Sequence, residues 1–225
     1  PDSFAPYDDR TQPSRRIAGY PNTQVRTPAQ APVKRLVSAA DLSGPSFAAI
    51  DAAEADLTVT GPGRPRAMGQ LIHLTGRVLD EYGQPLPGVL LEVWHCNAAG
   101  KYIHHNDPSP VPVDPNFIGF GRVMTDSQGR YRLRTIKPGA YIARPDIGWW
   151  RPPHVHFSIV GGGVRLVTQM YFPEEPLNLK DYIHMVIPED LRPRVIGIPT
   201  GEHAFRFDIV VRGRYQTPWD DDASH

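Results

Sequence analysis

The sequence predicts an all-β protein, an antiparallel β-sandwich of about seven or more strands with a long irregular N-terminal arm and a few short helices. Three observations carry this. Apolar, β-prone segments recur from residue 69 onward, some alternating with period two. Clusters of Gly, Pro, Asp and Ser separate them and read as turns. No strand-like segment alternates with a long amphipathic helix, which argues against a parallel βαβ sheet. The 20 glycines and 25 prolines are one fifth of the 225 residues. That suits many turns and lies below the roughly 25–30% of a low-complexity chain.

Residues 1–68 are punctuated by proline and show neither helical nor strand period. They read as an arm lying over the core or over a partner subunit, because Phe4, Tyr7 and Tyr20 are unusual in a plain linker; a disordered tail is the alternative. "SAADLSGPSFAAIDAAEADL" is a candidate short helix. Residues 69–225 read as the sandwich. "QLIHLTGRVLD" and "GVLLEVWHC" are strands joined by the turn "EYGQPLP". "TDSQG" is a second turn, leading into "GRYRLRTI", where Tyr131, Leu133 and Ile136 tend inward and Arg130, Arg132 and Arg134 face water. "HVHFSIVG", "RLVTQMYF" and "AFRFDIVVRG" are further strands, and "LNLKDYIH" and "PEDLRPRV" are short helical turns.

Composition narrows the function classes. Lys plus Arg and Asp plus Glu both number 24, so no net charge draws the chain to nucleic acid or an anionic membrane. The single cysteine, Cys96, rules out an internal disulfide framework and a zinc-finger array, and it fits a reducing compartment. With no apolar run approaching ~18 residues and no basic-then-apolar leader, a cytoplasmic location is expected.

"RPPHVHFS" places His154 and His156 two residues apart, on one face of a strand, with Val155 and Phe157 turned to the core. Such a pair is either half of a metal site or two hydrogen-bonded strand histidines, and spacing alone does not choose. Neither H-E-x-x-H nor C-x-x-C occurs, so any further ligands come from elsewhere. Tyr102 in "AAGKYIHHND" and Tyr141 in "IKPGAYIARPD" fall near strand ends. A bound trivalent cation favours the phenolate, a hard anionic donor suited to Fe(III). Taken singly, each tyrosine reads first as a packed ring with a bonded hydroxyl. Arg151 stands three residues before His154, placed either to stabilise developing negative charge or to pair with a structural carboxylate.

Four segments together, "GRVLDEYGQPLPGVLLEVWHCNAAGKYIHHND", "DPNFIGFGRVMTDSQGRYRLRTIKPGAY", "WRPPHVHF" and "TQMYF", resemble the intradiol ring-cleavage dioxygenases, most of all the iron-bearing β chains of the protocatechuate-cleaving branch. The resemblance covers roughly residues 69 to 215 well and the arm around "APYDDRTQ" more weakly. It implies a non-haem Fe(III) held by Tyr102, Tyr141, His154 and His156, with Tyr141 and His156 axial. It implies that a catechol binds as a dianion, that Tyr141 takes one of its protons, and that Arg151 stabilises carbanion character on the ring. With O2 the product is a cis,cis-muconate. Trp94, Gln169, Ile183 and, in the arm, Tyr7 match positions that line the substrate pocket in relatives. A homologous α subunit in a hetero-oligomer is the implied partner.

Two departures bear on the substrate. Relatives usually read "GPYPW" where this chain reads "GAYIA", so Ala143 replaces a pocket tryptophan. They read "WQAN" where this chain reads "WHCN", with His95 and Cys96. Protocatechuate or another 4-substituted catechol, such as 4-sulfocatechol, is therefore expected. Two other readings compete with this one. The hairpins resemble a prealbumin-like or carboxypeptidase-regulatory binding module, which shares the sandwich but lacks the Tyr and His set. A cupin-type Fe(II) oxygenase uses H-x-H but needs a carboxylate soon after, and the next acid here is Glu174.

Overall fold

The computed structural model describes residues 8–11, 54–105, 107, 109–161 and 163–219. Tyr7, most of the arm and most of the candidate short helix lie outside the described residues.

The fold is mostly β, with two sheets enclosing one core. One is built on β2 (Leu71–Leu79) and β5 (Arg130–Ile136), an antiparallel pair from Leu71↔Ile136 to Arg77↔Arg130. Its strand order is β1 (Glu54–Asp56), β5, β2, β11 (Ala204–Arg206), β10 (Ile198–Gly201), with β12 (Ile209–Val210) also on β2. The other has the order β4-β3-β8-β9 and is antiparallel throughout. It comprises β3 (Leu90–Trp94), β4 (Phe120–Met124), β8 (His154–Gly161) and β9 (Val164–Tyr171). A separate hairpin pairs β6 (Tyr141–Arg144) with β7 (Trp149–Arg151).

Alternation explains the packing. In β2 every second residue from Ile72 to Val78 is buried, and in β5 Tyr131 and Leu133 are buried while Arg130 and Arg132 are exposed. Leu74 and Leu133 from one sheet share a core with Leu91 and Phe157 from the other. The rings of Tyr131 and Phe157 meet across it at 5.9 Å. Both expected turns are closed by an aspartate. Asp80 Oδ1 accepts from the backbone of Tyr82 and Gln84, and Asp126 Oδ1 from Gln128 and Arg130.

The expectation of a purely antiparallel sandwich needs correction. Strands β1 (Glu54–Asp56), β11 (Ala204–Arg206) and β12 (Ile209–Val210) pair parallel to their neighbours, so the larger sheet is mixed. Residues 54–56, near the end of the stretch expected to contain a short helix, lie against β5 as a strand. The expected strand "AFRFDIVVRG" is two short pieces, because the chain leaves β2 after Arg206 and rejoins it at Ile209. The helical turns occur as expected: 3-10 turns at Pro176–Lys180 and Glu189–Val195, and one α-turn, α1 (Tyr182–Met185). Among the described residues no helix is long and apolar enough to cross a membrane.

Candidate metal centre and active site

Strand register assembles one half of the site. Directly opposed residues of antiparallel strands share a face. His156 stands opposite Trp94 on β3 and Gln169 on β9, and His154 stands opposite Tyr171. Both histidines are essentially inaccessible, while Val155 and Phe157 between them point into the core. The strand is therefore buried on both faces at this end. The Trp94 ring lies flat on His156, with centroids 4.9 Å apart and planes 3° from parallel. The Nδ1 of His154 meets the Pro152 carbonyl at 2.6 Å. A carbonyl only accepts, so Nδ1 carries the proton and Nε2 keeps a lone pair, the tautomer of a metal ligand.

Two loops bring the tyrosines. Asn97 Oδ1 accepts from the backbone of Ala99 and Lys101, folding the chain back after β3, and Asp107 accepts from the Tyr102 amide. The second loop, through Pro138 and Gly139, delivers Tyr141 at the start of β6. The two loops touch backbone to backbone. A Cβ on Gly139 would sit 2.5 Å from the Ala98 carbonyl, and one on Gly100 would sit 2.4 Å from that of Ala140. Glycine at both positions permits the approach that sets the tyrosines side by side, their rings edge-to-face at 5.4 Å.

The result is a convergence of donor atoms. Tyr102 Oη is 3.1 Å from His156 Nε2 and 3.4 Å from His154 Nε2, and the two Nε2 atoms are 3.1 Å apart. The ring of Tyr141 lies 5.8 Å from that of His154. Among the described residues no group of three or more His, Cys, Asp or Glu side chains is arranged to hold a metal ion. Burial first, then neighbouring Tyr141, pushes the Tyr102 hydroxyl well above the usual phenol range, so by itself it is neutral.

Arg151 stands opposite Tyr141 in the β6–β7 hairpin and is 1% exposed. Its Nη2 donates to Gln169 Oε1 and, at 3.3 Å, to Tyr171 Oη, and its Nε is 3.0 Å from Asp181 Oδ1. Ile183 is buried on α1, whose first turn Asp181 caps. The structure thus gathers Tyr102, Tyr141, His154, His156, Trp94, Gln169 and Arg151, and it sets Ile183 on the element next to them. A cavity of about 350 Å³ opens beside Trp94 and Tyr102, with Ile103, His104 and Phe120 among its walls.

The two unusual residues after Trp94 serve the scaffold. His95 bridges the Cys96 carbonyl and the Thr135 hydroxyl, both at 2.8 Å, and burial lowers its pKa to about 4. The Cys96 thiol donates to the Gly139 carbonyl, and burial raises its pKa to about 12, so it is an inert neutral thiol. Ala143 is half-buried in β6 at the register shift between Ile142 and Arg144. Asp181, Tyr171 and Trp149 were not expected from sequence. An aspartate before a short helical turn reads as an ordinary N-cap, and nothing local says that its carboxylate also meets an arginine thirty residues earlier.

Known proteins complete the picture. Residues 42–213 match the family described as Dioxygenase. The chain is 43% identical over 97% of its length to the protocatechuate 3,4-dioxygenase beta chain of Burkholderia cepacia, of which it covers 97%. It is 30% identical over 68% of its length to the protocatechuate 3,4-dioxygenase alpha chain of Pseudomonas putida, covering 77% of it. The solved 3-chlorocatechol 1,2-dioxygenase of Rhodococcus opacus 1CP superposes with a TM-score of 0.53 at 27% identity, over 73% of this chain and 68% of that one. This chain therefore belongs to the intradiol ring-cleavage dioxygenase family.

Proposed function

We propose that this chain is the iron-bearing catalytic subunit of an intradiol dioxygenase, built on a prealbumin-like sandwich, that uses O2 to open a 4-substituted catechol to a cis,cis-muconate. Protocatechuate and 4-sulfocatechol are the proposed substrates. One observation carries the reading: a phenol oxygen and two imidazole nitrogens lie within 3.4 Å of one another, with a second phenol against them.

This donor set fits a ferric ion. Tyr102, Tyr141, His154 and His156 would hold it with two neutral nitrogens and, once ionised, two hard anionic oxygens. The burial that keeps Tyr102 protonated is the term that a trivalent cation reverses. When bound, the ion supplies Lewis acidity that favours the catecholate and withdraws electron density from its ring.

The chain's own residues supply the rest. The Pro152 carbonyl fixes the tautomer of His154, and Trp94 fixes the plane of His156. Tyr141 accepts a catechol proton at Oη. Arg151, opposite Tyr141 and shielded from water, offers its guanidinium to negative charge on the ring, where low dielectric makes each donor count more. Gln169 orients that guanidinium, Ile183 forms a pocket wall, and the ring substituent is assigned to Tyr7 on the sequence resemblance alone. Ala143 leaves room for a bulkier substituent than the tryptophan of relatives allows. A homologous α subunit is the proposed partner. Supporting it are the likeness to an alpha chain and the exposed Ile103, Ile118 and Phe120 at the rim of the cavity. A buried thiol without a disulfide suits the cytoplasm.

Protein purified from iron-replete cells should be red-brown, contain iron and consume O2 with a 4-substituted catechol. A colourless, iron-free and inactive preparation would overturn the reading. Turnover of a panel of such catechols, with and without a co-expressed α subunit, decides the substituent and the partner.

A further inference from the structure

We infer that Asp181 is a positioning residue for the reaction: its buried carboxylate sets the place and direction of the Arg151 guanidinium, and one cap joins that arginine to the pocket wall on α1. The inference rests on the function proposed above.

Asp181 is fully buried. Its Oδ1 lies 3.0 Å from Arg151 Nε and accepts from Trp149 Nε1 at 3.1 Å. Its Oδ2 accepts from the Tyr171 hydroxyl at 3.2 Å. The same two oxygens face the amides of Ile183 and His184 at 3.4 Å, capping α1. One carboxylate thus ties together β7, β9 and α1, and its lone pairs are fully used.

The hydrogen-bond directions are consistent along the path from Arg151 through Tyr171 to Asp181, and an ion pair at Arg151 Nε closes the loop. Arg151 Nη2 donates to Tyr171 Oη, and that hydroxyl donates onward to Asp181. Tyr171 therefore needs its proton. A guanidinium with Nε engaged by Asp181 and Nη2 by Gln169 and Tyr171 cannot swing about its side-chain axis. A buried arginine also needs a counter-charge, since an unpaired buried ion is costly. Asp181 supplies the charge and the aim together. Aim matters because displacement of a group by about 1 Å can cost on the order of 10²-fold in rate.

The test is a double-mutant cycle in the iron-loaded enzyme. Asp181→Asn keeps the shape and one of the two capping oxygens but removes the charge. It should lower kcat by about 10- to 100-fold and move KM far less, with iron content and the tyrosinate absorption band unchanged. In an Arg151→Gln background it should add almost nothing, because its effect passes through Arg151. Undiminished kcat, or equal losses in both backgrounds, would overturn the inference. Should Asp181→Asn fail to fold, Tyr171→Phe removes one link at little cost in volume. It should show the same non-additivity with Arg151→Gln, and additive losses count against the inference. Melting temperatures of the metal-free proteins give the same cycle independently of iron: uncoupled losses overturn it there too. Wild-type protein without iron or activity would instead defeat the proposed function, while the metal-free cycle still reads the Asp181–Arg151 link.

Discussion

Strands β5 and β8 carry the same pattern with opposite fates. In β5, Arg130, Arg132 and Arg134 alternate with Tyr131, Leu133 and Thr135, and in β8, His154, His156 and Ser158 alternate with Val155, Phe157 and Ile159. The apolar members of both enter the same core. The polar face of β5 looks largely to water, where its charges remain solvated. The polar face of β8 is roofed by the Tyr102 loop, the β6–β7 hairpin and Trp94. Solvent can satisfy a polar group on the first face, whereas every polar group on the second needs a protein or ligand partner. The difference teaches where binding chemistry can reside. A face that has given up its water is already organised for a ligand, and a face that keeps its water is free to vary.

Substitutions on the two faces should reflect this. The largest effect is expected from His156→Ala, which removes a central nitrogen donor and the ring under Trp94. Iron, visible colour and ring cleavage should all be lost, as read by metal analysis, absorbance and O2 uptake; retention of the coloured iron would break the contrast. Next is Arg151→Gln, which leaves the buried Asp181 without its cation. It should destabilise the fold by about 3–5 kcal/mol in urea unfolding, besides slowing turnover.

A smaller, pH-dependent effect is expected at His95. Burial lowers its pKa from 6.5 to about 4, so the unfolded chain binds a proton there that the native chain refuses. Stability is retained above 6.5 and drains away as pH falls toward 4. At pH 5.5 the loss from this group is about 1 kcal/mol. His95→Gln should remove it, shrinking the difference in urea midpoint between pH 7 and pH 5.5. Smallest of all is Arg132→Ala on the open face of β5, where stability should change by no more than about 0.5 kcal/mol; a larger shift would show that this face, too, is covered.

The strands with strong alternation or long apolar runs, β2, β3, β5, β8 and β9, were legible because burial of one or both faces writes that pattern. The missed strands bury too little to leave one. In β4 only Val123 is fully buried, β1 is three residues of half-exposed acid and alanine, and the β6–β7 hairpin is short and interrupted at Gly148. The parallel pairings were invisible because each joins segments far apart in the chain. In the site, spacing singled out His154 and His156 and position near strand ends singled out Tyr102 and Tyr141, but only resemblance to a family chose the metal reading over packed rings and strand histidines. Asp181, Tyr171 and Trp149 left no mark.

The sequence by itself determined the all-β class, the inward and outward faces of the long strands, and which residues could serve as donors. Periodicity and residue chemistry are local, so a linear reading reaches them. Only the tertiary structure decided which polar face loses its water, how deeply the Tyr102 hydroxyl is buried and which carboxylate meets Arg151. Those depend on loops and strands converging from remote parts of the chain, at distances of about 3 Å where hydrogen bonding and charge act.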